Sequence, residues 1–167
     1  SGSTSMSGPI LILTATAFEQ AELKNGLQNA ATQVLSYRTW TRGNLDGQPV
    51  ALLEGGIGQV NTAHALTTAL DRIHPSVVLQ IGIGGAYLNS GLKIGDLALA
   101  TEENYGDMGV ITTEGWKPAD IIGIPVLQKE QDYYNTYPLD SQCVAAAETL
   151  LRQWDTTLTV QSGPLDR

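Results

Sequence analysis

Basic residues are scarce in this chain. Nine Lys and Arg stand against seventeen Asp and Glu in 167 residues, a formal net charge of −8 and a pI near 4.5. Such a chain lacks the clustered Lys and Arg that replace counterions on a nucleic-acid backbone or dock on an anionic membrane. Both are set aside, and a small molecule or another protein is the expected partner. Cysteine is nearly absent: the single Cys143 cannot close an internal disulfide and reads as a small buried hydrophobe in an Ala-rich helix. With only His64 and His74 besides, no metal-ligand spacing exists; no metal and no cofactor are expected. Long apolar runs are missing too. A run such as Ile10–Leu13 falls far short of the ~20 residues that span a bilayer, and Ser1–Ser5 lacks the apolar stretch of a secretion signal. A cytoplasmic setting follows. Ser1–Ser5 reads as a cloning remnant before Met6, and residues 6–167 as one α/β domain large enough to need no disulfide or metal staple.

Glycine, by contrast, is abundant: 18 residues, above the average of ~7%. Several mark the ends of apolar segments. Pro9–Thr14 (PILILT) suits a strand buried on both faces of a sheet. Phe18, Leu23, Leu27, Ala30, Ala31 and Val34 then recur at helical spacing and predict a helix running to Val34. Tyr37–Leu45 and Gln48–Leu53 flank Asp46-Gly47, a type I′ hairpin signal. Gly55-Gly56-Ile57-Gly58 precedes a helix through Val60, Ala63, Leu66, Leu70 and Ile73 that stops before Pro75. Ser76–Gly82 reads as another buried strand leading into Gly82-Ile83-Gly84-Gly85, and Asp96–Ala100 as a further strand. Glu102–Gly115 is expected to be a polar loop and 116–137 irregular, with Pro118, Pro125 and Pro138 as breakers. Asp140 is a good N-cap for a last helix with a stripe of Val144, Ala147, Leu150, Leu151 and Trp154, and Thr156–Ser162 alternates like a strand. The fold class is therefore α/β, a mixed central sheet flanked by helices. A strand without a covering helix before Arg167 suggests a domain incomplete at its C-terminus.

Ligands of open α/β sheets sit beyond the carboxyl ends of the strands. Three segments fall there: Thr14–Glu19, Gly55–Gly58 and Gly82–Gly85. Tight packing explains each glycine cluster alone as well as ligand approach does; three at like positions favour a site. None matches a dinucleotide fingerprint or a Walker A loop. No Lys or Arg lies within them, which favours water and a neutral sugar over a phosphate ion, although Arg42 or Lys93 could be brought in by folding. Glu19 is the sharpest candidate. A carboxylate at the start of a helix could serve as general base to a water, yet Thr16-x-x-Glu19 also matches a capping box, and the sequence leaves both open. Asp107, between Gly106 and Met108-Gly109, reads first as a solvated turn residue, and His64 as a helix-surface residue.

Ile10–Glu19 (ILILTATAFE), Leu53–Val60 (LEGGIGQV), Val78–Ala86 (VLQIGIGGA) and Leu92–Ala100 (LKIGDLALA) fall in the order and spacing of the nucleoside phosphorylase and nucleosidase superfamily. The sequence resembles the methylthioadenosine/S-adenosylhomocysteine nucleosidases and, in its TAT turn and Tyr105–Val110 loop, most of all futalosine hydrolase of an alternative menaquinone pathway. The resemblance implies a three-layer sandwich with helices on both sheet faces, and hydrolysis of the N-ribosidic bond of a purine nucleoside, futalosine to dehypoxanthine futalosine and hypoxanthine. The alternatives are the methylthioadenosine/S-adenosylhomocysteine reaction and a non-catalytic nucleoside-binding module. It implies Glu19 as the residue that activates water, Ala15 and Thr16 as the turn lining the ribose and water pocket, Ile57 as the apolar sugar contact, and Gly85 as a backbone amide near the nucleophile. Ile83 stands where the methylthioadenosine enzymes have Ser. The loop with Tyr105 and Asp107 resembles one that family dimers lend to a neighbour's site, so a homodimer is expected. The family's acid aspartate and ribose-gripping Met-Glu pair are expected beyond Arg167.

Overall fold

The computed structural model describes residues 8–154; the expected strand Thr156–Ser162 and the residues 1–5 lie outside them. The chain divides into two compact units between Gly85 and Ala86.

In the first unit, β1 (Ile10–Thr14) leads into a 3-10 turn (Phe18–Gln20) and the short α1 (Ala21–Gly26). The helix expected to run to Val34 ends there. Gln28–Leu35 is instead β2, paired antiparallel with β3 (Arg38–Leu45), with Asn29 (φ +55°) at the irregularity in their register. Pairing overrides a helical spacing that Leu27, Ala30, Ala31 and Val34 satisfy by coincidence. Ser36 (φ +51°) and Tyr37 (φ +62°) form the connecting turn, left-handed at both central positions as type I′ requires. β3 and β4 (Gln48–Glu54) are the expected hairpin around Asp46-Gly47, again with both φ positive. After α2 (Gln59–Ile73) comes β5 (Val77–Gln80). The sheet order is β2-β3-β4-β1-β5, with β1 parallel to β4 and β5 and the ribbon antiparallel.

Strand alternation sorts the core into two faces. Leu11, Leu13, Trp40, Ala51 and Leu53 pack with Ala65, Ala69, Leu66 and Ile73 of α2. Ile12, Val50 and Leu52 pack with Leu23 and Leu27 at α1. The mixed sheet thus carries a helix on each face, as the α/β reading expected. β5 departs from expectation: Val78, Leu79 and Ile81 are exposed, because β5 is the edge strand among the described residues and its far side has no strand.

The second unit is built from short ladders. Asp96–Ala100 is not a strand. The expected loop 102–115 contains β6 (Glu102–Asn104) and β7 (Gly109–Thr112), the latter paired with β8 (Gly115–Pro118). The stretch expected to be irregular holds a 3-10 turn (Ala119–Ile122), the two-residue pair β9 (Leu127–Gln128) and β10 (Asp132–Tyr133), and β11 (Thr136–Pro138), which pairs with β6. α3 (Ser141–Gln153) is capped as expected, Asp140 accepting from the Cys143 amide at 2.8 Å. Its stripe residues Leu150, Leu151 and Trp154 are exposed. So is Cys143, contrary to the buried reading; it sits in the first turn, where the neighbouring Asp140 carboxylate raises its pKa.

Candidate functional site

Three strand ends of the first unit meet in register. The Gly55 amide donates to the Thr14 carbonyl at 2.7 Å, the Gly56 amide to Ala15 at 3.0 Å, and the Ile81 amide to Leu13 at 3.0 Å. These bonds continue the parallel ladders past the last paired residues, so the loops after β1, β4 and β5 leave the sheet together. Beneath them lies a polar floor. Thr14 and Gln20 are almost wholly buried; Gln20 Nε2 donates to Thr14 Oγ1 at 2.7 Å, and that hydroxyl donates to the Thr16 carbonyl at 2.8 Å. Burial without partners would be costly, and among the described residues every buried polar side-chain atom has one. Sequence reading did not single out Gln20; a polar residue in the first turn carries no signal of being turned inward.

Glu19 joins two of the loops. Its Oε2 accepts from the Thr16 amide and the Thr16 hydroxyl, each at 2.9 Å. Its Oε1 accepts from the Ile83 amide at 3.1 Å. The carboxylate therefore reaches back to Thr16 as a capping box predicts, but Thr16 does not cap in return: Ala17 holds the cap position with no side-chain bond. The Ile83 amide is the larger influence on the acid's ionisation, followed by Thr16; together they lower its pKa below the usual 4.5 despite a small opposing cost of desolvation. Glu19 is then an anion at neutral pH, and Oε1, which accepts one bond from the described residues, retains capacity for a further donor such as water. The approach is close enough that a side chain next door would move the carboxylate: a Cβ on Gly82 would stand 2.7 Å from Glu19 Oε1.

Three of the other expected residues border this carboxylate. Ala15 and Thr16 form the turn it closes, and Ile83, two residues before Gly85, supplies an amide to it. Ile57 and Ile83 are about three-quarters exposed, at 75% and 76%. A basic residue does come to the glycine loops, and within the first unit it is Arg38 rather than Arg42: its Nη1 lies 2.9 Å from where a Gly56 Cβ would stand. Arg42 instead lines an open groove of about 250 Å³ with Arg72, Trp40 and Gln33. His64 is on the helix surface, as read, with its Nδ1 accepting from Arg38.

The Tyr105–Asp107 loop belongs to the second unit and is organised there by Asn135. The Asn135 side-chain amide donates to the carbonyls of Tyr105 at 2.9 Å and Met108 at 2.7 Å, and its oxygen accepts from the Ala119 amide at 2.8 Å. The Tyr105 ring packs edge-on against Tyr137, with centroids 5.7 Å apart. Asp107 is exposed in the turn between them.

The model of the phosphorylase superfamily matches residues 9–164. The chain is 28% identical over 146 residues to the 5′-methylthioadenosine/S-adenosylhomocysteine nucleosidase of Bacillus subtilis, covering 87% of this chain and 58% of that one. To the nucleosidase of the same name from Anoxybacillus flavithermus it is 33% identical over 140 residues, covering 84% and 56%. Among solved structures, the nucleosidase of Colwellia psychrerythraea in complex with adenine superposes with a TM-score of 0.71 at 27% identity, over 88% of this chain and 56% of that one. The Streptococcus pneumoniae nucleosidase with the transition-state inhibitor MT-ImmA gives 0.69 at 27% identity, over 87% and 58%. The chain thus spans somewhat over half the length of these relatives.

Proposed function

Because the chain belongs to the phosphorylase superfamily, we propose that the protein hydrolyses the N-ribosidic bond of a purine nucleoside, with Glu19 as the base that activates water. The observation that carries this reading is the carboxylate held ionised between Thr16 and Ile83 at the carboxyl ends of β1 and β5. In the reaction the C1′–N bond breaks as an oxocarbenium-like sugar develops. Water oxygen bonds to C1′, one water proton passes to Glu19, and a second acid protonates the departing base. The cationic sugar is a strong electrophile, so a carboxylate of lowered basicity suffices as base, and its negative charge stabilises the cation directly.

The names of the relatives favour methylthioadenosine or S-adenosylhomocysteine as the nucleoside. Futalosine is the second reading, supported by Ile83 in place of a Ser and by the Thr14-Ala15-Thr16 turn. Ile57 and Ile83 would offer apolar contact to the sugar and its 5′ substituent. Arg38 is a reason to test phosphate as co-substrate, but two of its nitrogens already serve Asn61 and His64, which supports water as nucleophile. The Tyr105–Asp107 loop is proposed to meet a second copy in a homodimer, in the cytoplasm. Release of adenine from methylthioadenosine by the full-length protein, at a rate indifferent to phosphate, is the expected outcome. Hypoxanthine release from futalosine alone transfers the assignment to the second reading. Binding of a nucleoside without turnover overturns the enzyme in favour of a binding module.

A further inference from the structure

The loop that presents Ile57 has little stiffness of its own. Ile57 lies between Gly56 (φ +78°) and Gly58 (φ +92°), backbone that glycine enters and leaves at no steric cost. No side chain caps α2 at Gly58. A line of polar contacts nevertheless ends on this loop. Asn61 Nδ2 donates to the Ile57 carbonyl at 2.9 Å; Asn61 Oδ1 accepts from Arg38 Nη2 at 2.9 Å; and Arg38 Nε donates to His64 Nδ1 at 3.1 Å.

Donor and acceptor chemistry fixes the direction of the whole line. A guanidinium only donates, so the Asn61 amide must turn its oxygen to Arg38, which leaves its nitrogen for the Ile57 carbonyl. For the same reason the ring of His64 receives at Nδ1 what Arg38 Nε donates. Asn61 and His64 are three residues apart on one face of α2, a spacing that a planar fork from β3 serves at once where a single ammonium would not. The Thr62 amide and hydroxyl meanwhile both hold the Gly58 carbonyl, at 3.0 and 2.9 Å.

We propose that Arg38 is a positioning residue: through Asn61 it fixes the Ile57 carbonyl, and so the side chain that the nucleoside site presents to the sugar. The link to the sugar rests on the function proposed above; the hold on the loop rests on the contacts alone. Hydrogen exchange of the Gly56 and Thr62 amides, which are bonded at the two ends of the loop, separates these parts in the full-length protein. Asn61→Asp keeps an acceptor for Arg38 but loses the donor to Ile57, and Arg38→Ala removes the fork. Each is expected to speed exchange at both amides about tenfold through local opening, and the double variant no more than the faster single one, as for residues acting in series. With nucleoside, both are expected to raise KM about five- to tenfold, the cost of ordering a loosened loop, while kcat changes less than about threefold. Wild-type exchange at these amides in Asn61→Asp overturns the proposal, as does a general loss of thermal stability in Arg38→Ala with loop exchange unchanged. A wild-type protein that turns over no nucleoside overturns the functional reading, while the exchange result still decides the role of Arg38.

Discussion

A carboxylate that accepts from an amide and a hydroxyl on one oxygen and from an amide on the other cannot be exchanged for an amide of the same shape. In Glu19→Gln the new NH2 group must face either Thr16 or the Ile83 N–H, donor against donor. Loss of at least about a hundredfold in kcat is expected for removal of a general base; full activity in this variant would reduce Glu19 to a fastener of loops. The lowered pKa of Glu19 also sets a pH dependence. A carboxyl more acidic in the folded than in the unfolded chain stabilises the fold fully above its unfolded pKa, and loses that contribution as pH falls from about 4.5 through the lower folded value. The melting temperatures of wild type and Glu19→Gln should therefore converge as pH is lowered across that window. Gly82→Ala tests position rather than charge. Its Cβ displaces Oε1, and a misplacement of about an ångström is expected to cost on the order of a hundredfold in kcat, read by steady-state kinetics alongside an unchanged circular dichroism spectrum. Of this arrangement, sequence pattern disclosed the Glu19–Thr16 contact, three residues apart. The Ile83 amide is 64 residues away and no local pattern points to it.

At the level of elements, a turn is legible when its residues state their own φ. Asp46-Gly47 does so; Ser36-Tyr37 adopts the same left-handed turn with residues that give no such sign, and the strand before it was accordingly read as helix. That turn is held by β2–β3 pairing against a conformational cost of about 1–2 kcal/mol per non-Gly residue. Replacing Ser36-Tyr37 by Asn-Gly is expected to raise stability by about 1 kcal/mol, seen as a higher urea midpoint with unchanged slope. α2 was legible because its apolar period meets a sheet face, whereas β7, β8 and β11 are too short and polar to show a period. Asn135 ties together the residues that flank them, Tyr105, Met108 and Ala119. Asn135→Ala leaves the amide of the buried Ala119 and the carbonyls of Tyr105 and Met108 without their partner, and a loss of about 1–3 kcal/mol is expected by denaturant unfolding.

For the whole molecule, the excess of acidic residues keeps like surfaces apart, yet among the described residues no strand pairs with the outer edge of β5, where Leu79 and Val78 are exposed. Unpaired edges with apolar side chains recruit further strands. The 167-residue chain is expected to self-associate with rising concentration in sedimentation experiments, and Leu79→Lys to diminish it; a monodisperse wild-type chain at high concentration would show that the edge is already protected.

The bond between Glu19 and Ile83 also has a kinetic meaning. Closing that contact means bringing together residues separated by α1, the ribbon and α2, and it can form only once β5 has docked beside β1. Until then the carboxyl lacks the largest of the influences that lower its pKa. The acidity of one side chain thus reports on the completion of the parallel sheet during folding, and the chemistry proposed for it becomes available only when the last of the three strand ends has arrived.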